Sequence, residues 1–579
     1  MSRNDEVADL FDEFADLLEA QDVEYKPRAY RNAAENIREL LVAIEGLAAD
    51  GPDRVAEIDA VGDAISAKIV EYVETGEIAE LAAVREELPV EMEALTRVEG
   101  VGPKTVGTLY EELGVQTLAD LEAAAEAGEI QELYGFGATT EQNILEGVDF
   151  AREAHGRELL ARALPRADQV LSFLDSVAAV EQVELGGSIR RRRPTVGDVD
   201  VLVGSEDGPA VVEAFTAWER PERVIEAGSG KASVRLDGVR VDLRVVDPAE
   251  FGAALQYFTG SKSHNVTVRN RAIDRDLKLN EYGLFDVSAV EDPDTDQRVG
   301  ERVAGPDEAG IYEALGTEQV PPELREDRGE VAAAAAGDLP ELLTRAALRG
   351  DLHTHTTWSD GAASIEEMVA AADAFGHEYL AITDHATGPG MVGGVGLDDG
   401  ELREQLPYIR AVDDEADIAV LAGVEANIDT EGAVSVGDDL LAELDIVVAS
   451  PHAGLDGDGT DRLVTAARHP EVDIVGHPTG RQLNKRSGMT VDVERLATVA
   501  AEHDTVLEVN ANPRRLDLRG SAVQTAIDAG ARIVVDTDAH GPESFEYLRY
   551  GVATARRGWA EPGDVLNTLS ATELRATLG

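Results

Sequence analysis

Apolar positions recur at three- and four-residue intervals through "LFDEFADLLEAQDV" and "YRNAAENIRELLVAIEGL", the spacing that lays one apolar stripe along a helix. The pattern predicts that residues 1 to about 150 are helical. Within this region "IDAVGDAISAKIVEYV", "VEGVGPKTVGTLYEELGV" and "LYGFGATTEQNILEGV" repeat one theme: an apolar residue, one spacer, Gly or Ala, a second apolar residue, Gly, a pair with one polar member, then a helix. Glycine lets another backbone come close, and the helix start that follows offers unpaired N–H groups to an anion. A single copy reads as an ordinary Gly-capped bundle. Three copies, one with Lys104 at its turn, make a repeat that predicts phosphate binding.

From about 151 to 320 the period shifts. "DVDVLV", "KASVRL" and "VRVDLRVV" alternate as strands do, so Asp198 and Asp200 share one face and Val199, Val201 and Val203 the other. Asp242 shares its face with Arg240 and Arg244. Three carboxylates can therefore meet on one sheet, a costly arrangement unless cations lie between them. Two magnesium ions ~3.5–4 Å apart are a common solution in phosphoryl transfer.

Beyond "PPELREDRGEVAAAAAGDLPELL", which reads as a connection, a third pattern begins. Apolar runs end in His, Asp or Glu: "LRGDLHTHTTWSD", "YLAITDHA", "VLAGVEANI", "IVVASPHAG", "VDIVGHPTG", "VLEVNANP" and "RIVVDTDAH". Such runs fit buried parallel strands whose C-terminal ends form one rim, as in a barrel. Six of the eleven histidines stand at these ends. One alone would read as a core residue, but six among carboxylates point to hard or borderline metal ions.

Composition narrows the chemistry. The chain has 579 residues, 43% of them hydrophobic, enough for several cores. No apolar run approaches the ~20 residues of a membrane span, and "MSRNDEVADLFDEF" lacks the basic start and apolar core of a signal peptide, so a cytoplasmic protein without membrane contact is expected. With no cysteine, thiolate nucleophiles and cysteine zinc sites are excluded. Asp and Glu number 114 against 51 Lys and Arg, for a net charge of -63, spread along the chain in the style of salt-in halophiles. Lysines occur only at positions 26, 68, 104, 231, 262, 278 and 485. Against this background the four arginines of "GGSIRRRRPTVGDVDVLV", at 190–193, stand out.

That segment, with "VRVDLRVV", "YFTGSKSHNVTVRNRA" and "NEYGLF", resembles the palm and thumb of family X DNA polymerases, the DNA polymerase beta-like nucleotidyltransferases, in motif order and spacing. The resemblance implies that Asp198, Asp200 and Asp242 bind two ions, Mg²⁺ or Mn²⁺, with Asp242 helping to activate the primer 3′-hydroxyl. Gly187, Ser188 and Arg191 would hold the β- and γ-phosphates of a dNTP. Tyr257, Phe258 and Gly260 would line its sugar, with Asn265 and Arg269 reaching toward base and template. Arg192, Arg193 and Pro194 are open to a second reading, as a solvated loop. "YKPRAYRNAAENI" and "AVGDAISAKIVEYV" resemble the same family's DNA-end-binding domain. Lys68 falls where a Schiff-base lysine is implied and Lys26 where a phosphate-binding lysine is, whereas Ala64 replaces another lysine of that pocket. The glycine hairpins resemble helix-hairpin-helix elements, which would place Gly100, Gly102, Lys104, Gly135 and Gly137 on DNA, with K⁺ as an implied ligand.

The C-terminal motifs, H-T-H, "SDG", "TDH", "GVEANI", "SPH", "GHP" and "DAH", resemble the polymerase and histidinol phosphatase (PHP) domain. The ligands this implies are His353, His355, Asp360, His385, Glu425, His452, His477, Asp538 and His540, holding up to three Mn²⁺ or Zn²⁺ ions, with Arg481 or Arg486 toward a substrate phosphate. The expected architecture is multidomain. It has a DNA-end-binding, lyase-like helical domain at 1–85, a helix-hairpin-helix region at 86–150, an α+β nucleotidyltransferase palm and thumb at 151–320, a linker at 321–345 and a distorted (β/α)7 PHP barrel at 346–579. The expected function is gap filling in base excision repair joined to a 3′→5′ exonuclease or phosphoesterase, extending to abasic sites or 3′ phosphates. Gapped or primer-template DNA and dNTPs are the expected partners, the chain a monomer, its source a halophilic archaeon. Two rivals stand: a histidinol-phosphatase-type enzyme with a vestigial DNA-binding half, and a non-catalytic DNA-end scaffold.

Overall fold

The computed structural model describes the chain except residues 1–2, 24, 39–43, 50, 57, 59, 97, 99–100, 134–135, 138–139, 143, 146, 149–156, 390–394 and 579. It divides into two units: Met1–Arg157 with Arg481–Gly488, and Glu158–Gly480 with Met489–Gly579. Among the described residues no helix is long and apolar enough to cross a membrane.

The first unit is helical, as its period predicts. In α1 (Arg3–Ala20) and α2 (Lys26–Arg38) the apolar stripes face each other, and Phe11 and Phe14 stack on Tyr30 with ring centroids 5.5 and 4.7 Å apart. The glycine repeat appears as a repeat of hydrogen bonds. Val61, Val101 and Phe136 each donate their N–H to the carbonyl three residues back. The carbonyls of Gly62, Gly102 and Gly137 then accept from Ser66, Val106 and Glu141. Gly62 and Gly102 cap α3 (Asp63–Thr75) and α4 (Pro103–Leu113). A Cβ at Gly62, Gly102 or Gly137 would meet nothing within 4 Å, so packing inside the unit does not demand glycine there. Gly100 and Gly135 lie outside the described residues.

In the second unit the chain first builds a five-stranded sheet from β1 (Gln182–Leu185), β2 (Val199–Gly204), β3 (Arg223–Ala227), β4 (Lys231–Leu236) and β5 (Val239–Val246), in the order β1-β2-β5-β4-β3. β2 and β5 are parallel and the other neighbours antiparallel. Val199, Val201 and Val203 are buried as the alternation predicts, but so is Leu202, because β2 lies inside the sheet with helix on its second face; Leu202 packs on Phe251 and Leu255 of α5 (Phe251–Thr259). After α6 (Lys262–Ile273), three antiparallel strands, Leu277–Asn280, Gly283–Asp286 and Glu301–Ala304, and α7 (Glu308–Ala314) complete this part.

The stretch 321–345 is not the loose connection its polar composition suggests. It carries α8 (Glu330–Ala336), and Leu324, Arg325 and Glu330 are wholly buried. Arg325 bonds to Glu308 and Glu330 to His264, so its charges face inward in pairs.

Seven parallel strands follow in chain order: β6 (Gly350–Asp351), β7 (Tyr379–Ile382), β8 (Ala419–Asn427), β9 (Ile446–Ser450), β10 (Ile474–Val475), β11 (Val506–Asn510) and β12 (Ile533–Asp536). The first and last extensions meet through a parallel bridge, Thr354 to Ala539. Along the same seam Asp536 accepts from Leu352 N–H at 2.8 Å, and Asp351 from Thr537 Oγ. These contacts nearly close the sheet into the distorted (β/α)7 barrel expected from the strand-end pattern.

Candidate active sites

Register places the first acidic group. Parallel pairing sets Asp200 of β2 directly beside Asp242 of β5, with Asp198 just ahead of β2. Burial, then the charges of Asp198 and Asp242, push the Asp200 carboxyl up to about 7, while Arg244 and Arg191 act the other way. The neighbours of Asp200 therefore resist its ionisation, and a bound cation would relieve that resistance. Asp242 Oδ1 meets Arg240 Nε at 2.9 Å, so that carboxylate would exchange a guanidinium for a cation. Among the described residues, the His, Asp and Glu ligand atoms that gather within 4.8 Å of one another all belong to the barrel, not to these aspartates.

A turn of helix, Gly187–Arg190, follows β1. Gly187 has φ 55°, and a Cβ there would fall on the Asp200 carboxylate; the chain can lie against the aspartates only as glycine. Ser188 lies in the same turn. A Cβ at Gly186 would lie 3.4 Å from Asp200 Cβ and 3.6 Å from Phe258 O; the Phe258 ring lies 4.4 Å from the Arg244 guanidinium and edge-on to Tyr257 at 5.1 Å. A Cβ at Gly260 would strike Asn265, whose Nδ2 donates to Tyr257 O at 2.7 Å. Arg269 is exposed one turn further along α6. The structure thus brings Gly187, Ser188, Phe258 and the aspartates together, with Tyr257, Gly260 and Asn265 adjoining.

The arginine run departs from a simple phosphate cradle. Arg190 forks onto Glu308 at 2.9 and 3.0 Å. Arg191 is buried, with Nε on Glu326 at 3.0 Å and Nη1 on the Thr259 carbonyl at 2.7 Å. Arg557, on the helix Leu548–Arg557, also reaches Glu326 and donates to the Arg191 carbonyl at 2.7 Å. Arg192 is half-buried, its Nη1 enclosed without a hydrogen-bond partner, and burial lowers its pKa while the charge of Glu323 acts the other way. Only Arg193 is exposed.

In the first unit, Lys68 Nζ lies 2.9 Å and Lys26 Nζ 3.4 Å from the same carboxylate, Glu80. Lys68 also donates to Ala64 O and sits 5.9 Å from the Tyr30 ring. Burial alone would lower its pKa, but Glu80 and Tyr30 outweigh it and hold the amine charged. Lys104 is exposed on the first turn of α4.

All nine barrel residues converge on the C-terminal rim. Three groups form: His355, Asp360, His385 and His540; His353, His355 and Glu425; and His385, Glu425 and His452. His477 Nε2 joins Glu425 at 3.0 Å, and Asp538 joins His355 at 3.2 Å. Burial would raise the carboxyls of Glu425 and Asp538, yet the surrounding histidines hold both well below the usual range. His355 is pushed down to about 4, by burial first and then by His385 and His540. His355 Nδ1 and Asp360 Oδ1 are buried without a hydrogen-bond partner. Imidazole nitrogens and carboxylate oxygens so gathered, with orphaned atoms among them, fit divalent cations of hard to borderline character. His477 and Asp538 are held at φ 24° and 54°, a cost that persists only where surroundings overdetermine it.

Several residues of this site escaped the motif reading. Glu508, wholly buried, accepts from His353 Nδ1 at 2.7 Å and from the His477 N–H; the signal was a glutamate inside "VLEVN". Asn427 Oδ1 holds His452 Nδ1 at 2.7 Å. Asp384, inside the T-D-H motif, accepts from Thr356, Ser359 and Gln405 at 2.6–2.7 Å. Such partners orient metal-ligating side chains.

Comparison with known proteins fits this division. Residues 2–78 match the helix-hairpin-helix domain, 92–149 the SAM-like helix-hairpin-helix tandem, 254–326 the DNA polymerase beta thumb and 351–512 the PHP domain. The DNA polymerase/3'-5' exonuclease PolX of Bacillus subtilis is 34% identical over 561 residues, 96% of this chain and 95% of that protein. A probable phosphatase of Caldanaerobacter subterraneus is 35% identical over 205 residues, 33% of this chain and 75% of its own. Another, from Shewanella, is 32% identical over 203 residues, 33% of this chain. These relatives are bacterial and give no support to a halophilic archaeal source.

Proposed function

This chain belongs to the family of the Bacillus subtilis DNA polymerase/3'-5' exonuclease PolX, the family X polymerases with helix-hairpin-helix and PHP domains, and from that premise we propose how its two centres divide the work. It is a metal-dependent DNA polymerase and 3′→5′ exonuclease. Similarity along nearly the whole chain favours this reading over a phosphatase with a vestigial half or a non-catalytic scaffold. The observation that carries it is the presence, in one chain, of the Asp200–Asp242 pair and of the separate histidine-rich rim.

In the palm, Asp198, Asp200 and Asp242 would hold two ions, Mg²⁺ or Mn²⁺. Bound there, they would supply charge neutralisation for phosphoryl transfer. Gly187 and Ser188 present the backbone against the phosphates, Arg191 joins them by leaving Glu326, and Tyr257, Phe258 and Gly260 shape the space for the sugar. Asn265 and Arg269 extend toward base and template, and Asp242 draws the proton of the primer 3′-hydroxyl. At the barrel rim, His353, His355, Asp360, His385, Glu425, His452, His477, Asp538 and His540 would hold up to three ions, Mn²⁺ or Zn²⁺, which would supply Lewis acidity for phosphodiester hydrolysis. Glu508 and Asn427 fix two of those imidazoles.

The helical unit would bind DNA through Lys26, Lys104 and the glycine hairpins, whose open glycines leave room for a nucleic-acid backbone, with K⁺ a candidate ligand there. The domain assignment of 1–85, 86–150, 151–320 and 346–579 draws support from the family matches, with the thumb carried to 326. Gap filling in base excision repair, dNTPs as substrates, a monomeric state and a cytoplasmic location complete the proposal. The test is extension of a primer in a one-nucleotide gap with Mn²⁺ or Mg²⁺, beside hydrolysis of histidinol phosphate. Gap filling without appreciable histidinol phosphate turnover supports it; the reverse overturns it.

A further inference from the structure

An arginine stands beside the barrel's ligand cluster, where a cation is hard to explain. Arg515 Nε lies 3.5 Å from Asp538 Oδ2, and the side chain is 19% exposed. Its positive charge helps depress both the Asp538 carboxyl and the His477 imidazole. If the nine rim residues hold divalent cations, a guanidinium at Asp538 repels them. Keeping Asp538 in place does not require that charge, because Asn510 Nδ2 already donates to Asp538 Oδ2 at 3.1 Å.

The loop that carries Arg515 is built to fix it. Asn510, at the end of β11, accepts from Asn512 N–H at 3.0 Å, and Asn512 Oδ1 accepts from Arg514 N–H at 3.1 Å. The Asn512 carbonyl then takes the N–H groups of Arg515 and Leu516 at 2.8 and 3.0 Å. Leu516 is buried with φ 47°. Asp517, wholly buried, accepts from Thr479 N–H and Oγ at 3.0 and 2.9 Å.

We infer that Arg515 grips the phosphate of the bound substrate, donating to a non-bridging oxygen of the scissile phosphodiester beside the cations of the rim. An anion between guanidinium and cations turns a mutual repulsion into two attractions, and the planar fork suits phosphate oxygens as an ammonium does not. This rests on the reading of the rim as a metal-dependent phosphoesterase.

Full-length protein, Arg515→Lys and Arg515→Ala would be loaded with Mn²⁺ and their metal content measured by mass spectrometry. Inorganic phosphate binding would be followed by calorimetry, and removal of a 3′-terminal nucleotide by kinetics. Metal content is expected to stay at the wild-type level, while phosphate affinity falls about tenfold or more in both variants and kcat/KM about 100-fold in Arg515→Ala, the scale of removing one charge-stabilising donor. Wild-type phosphate affinity in metal-loaded Arg515→Ala overturns the inference, and so does a loss that only tracks lost metal. A wild-type protein that holds metal but cleaves no primer would instead overturn the reading of the rim itself.

Discussion

Lys68 shows how much one neighbour decides. A Schiff base with an abasic sugar needs a neutral amine, whereas Glu80 at 2.9 Å favours the ammonium and ties it to Lys26 across the same carboxylate. A lyase activity at Lys68 is therefore expected to be restrained. Borohydride trapping on an incised abasic site should be weak at neutral pH, stronger in Glu80→Gln, and absent in Lys68→Arg, which keeps charge without a usable amine. Equal trapping in all three would place the chemistry at another amine. Lys68 stands out in the sequence by its motif and by the scarcity of lysine. Glu80 does not, because it is one of 114 acidic residues and only the packing of its helix on Lys68 singles it out.

Elements are joined by buried charge. Glu308, at the start of α7, takes Arg190 from the palm, Arg325 from the stretch 321–345, and Gln319. Burial would raise its carboxyl, but Arg325 and Arg190 hold it down to about 2. A depressed carboxyl contributes stability that is present above its unfolded value, 4.5, and is lost as pH falls through about 2. Glu308→Gln should therefore cost roughly 3 kcal/mol at neutral pH, the scale of breaking a buried pair. The deficit should narrow below pH 4.5, toward 2. Urea melts across that range check it, and a deficit that does not change with pH would remove the charge from the explanation. The strands of palm and barrel were legible because periods of two and strand-end histidines are local signals. The packing of 321–345 was not, because Arg325 and Glu330 look like solvent-facing charges until partners far along the chain, Glu308 and His264, are brought to them. For the same reason the arginine run reads as an open cradle in sequence, while Glu326 and Arg557 occupy much of it in the fold.

Across the whole molecule, a net charge of -63 must coexist with DNA binding. Dispersed carboxylates repel one another and nucleic acid, and salt weakens both effects as the Debye length falls from ~10 Å at 0.1 M to ~3 Å at 1 M. Phosphate contacts by Lys and Arg weaken over the same range, with a slope near -0.9 per contact. With seven lysines and half of its arginine run turned inward, this chain is expected to lean on backbone N–H groups and cations more than on side-chain charge. Melting temperature and gap-filling rate should then rise as KCl increases from about 0.1 M toward 1 M at fixed divalent metal. Greatest stability and rate at the lowest KCl would contradict that balance.

The central claim is that one chain holds two independent phosphoryl-transfer centres, one around Asp200 and Asp242 and one at the barrel rim. Its most direct test follows nucleotide addition and 3′-terminal nucleotide removal on the same labelled primer-template, for wild type, Asp200→Ala and His355→Ala, each with an unchanged melting temperature. Asp200→Ala should lose addition by at least about 100-fold, as expected when charge stabilisation of the transition state is removed, and keep removal. His355→Ala should do the converse. If either substitution silenced both activities together in folded protein, the two-centre account would be contradicted.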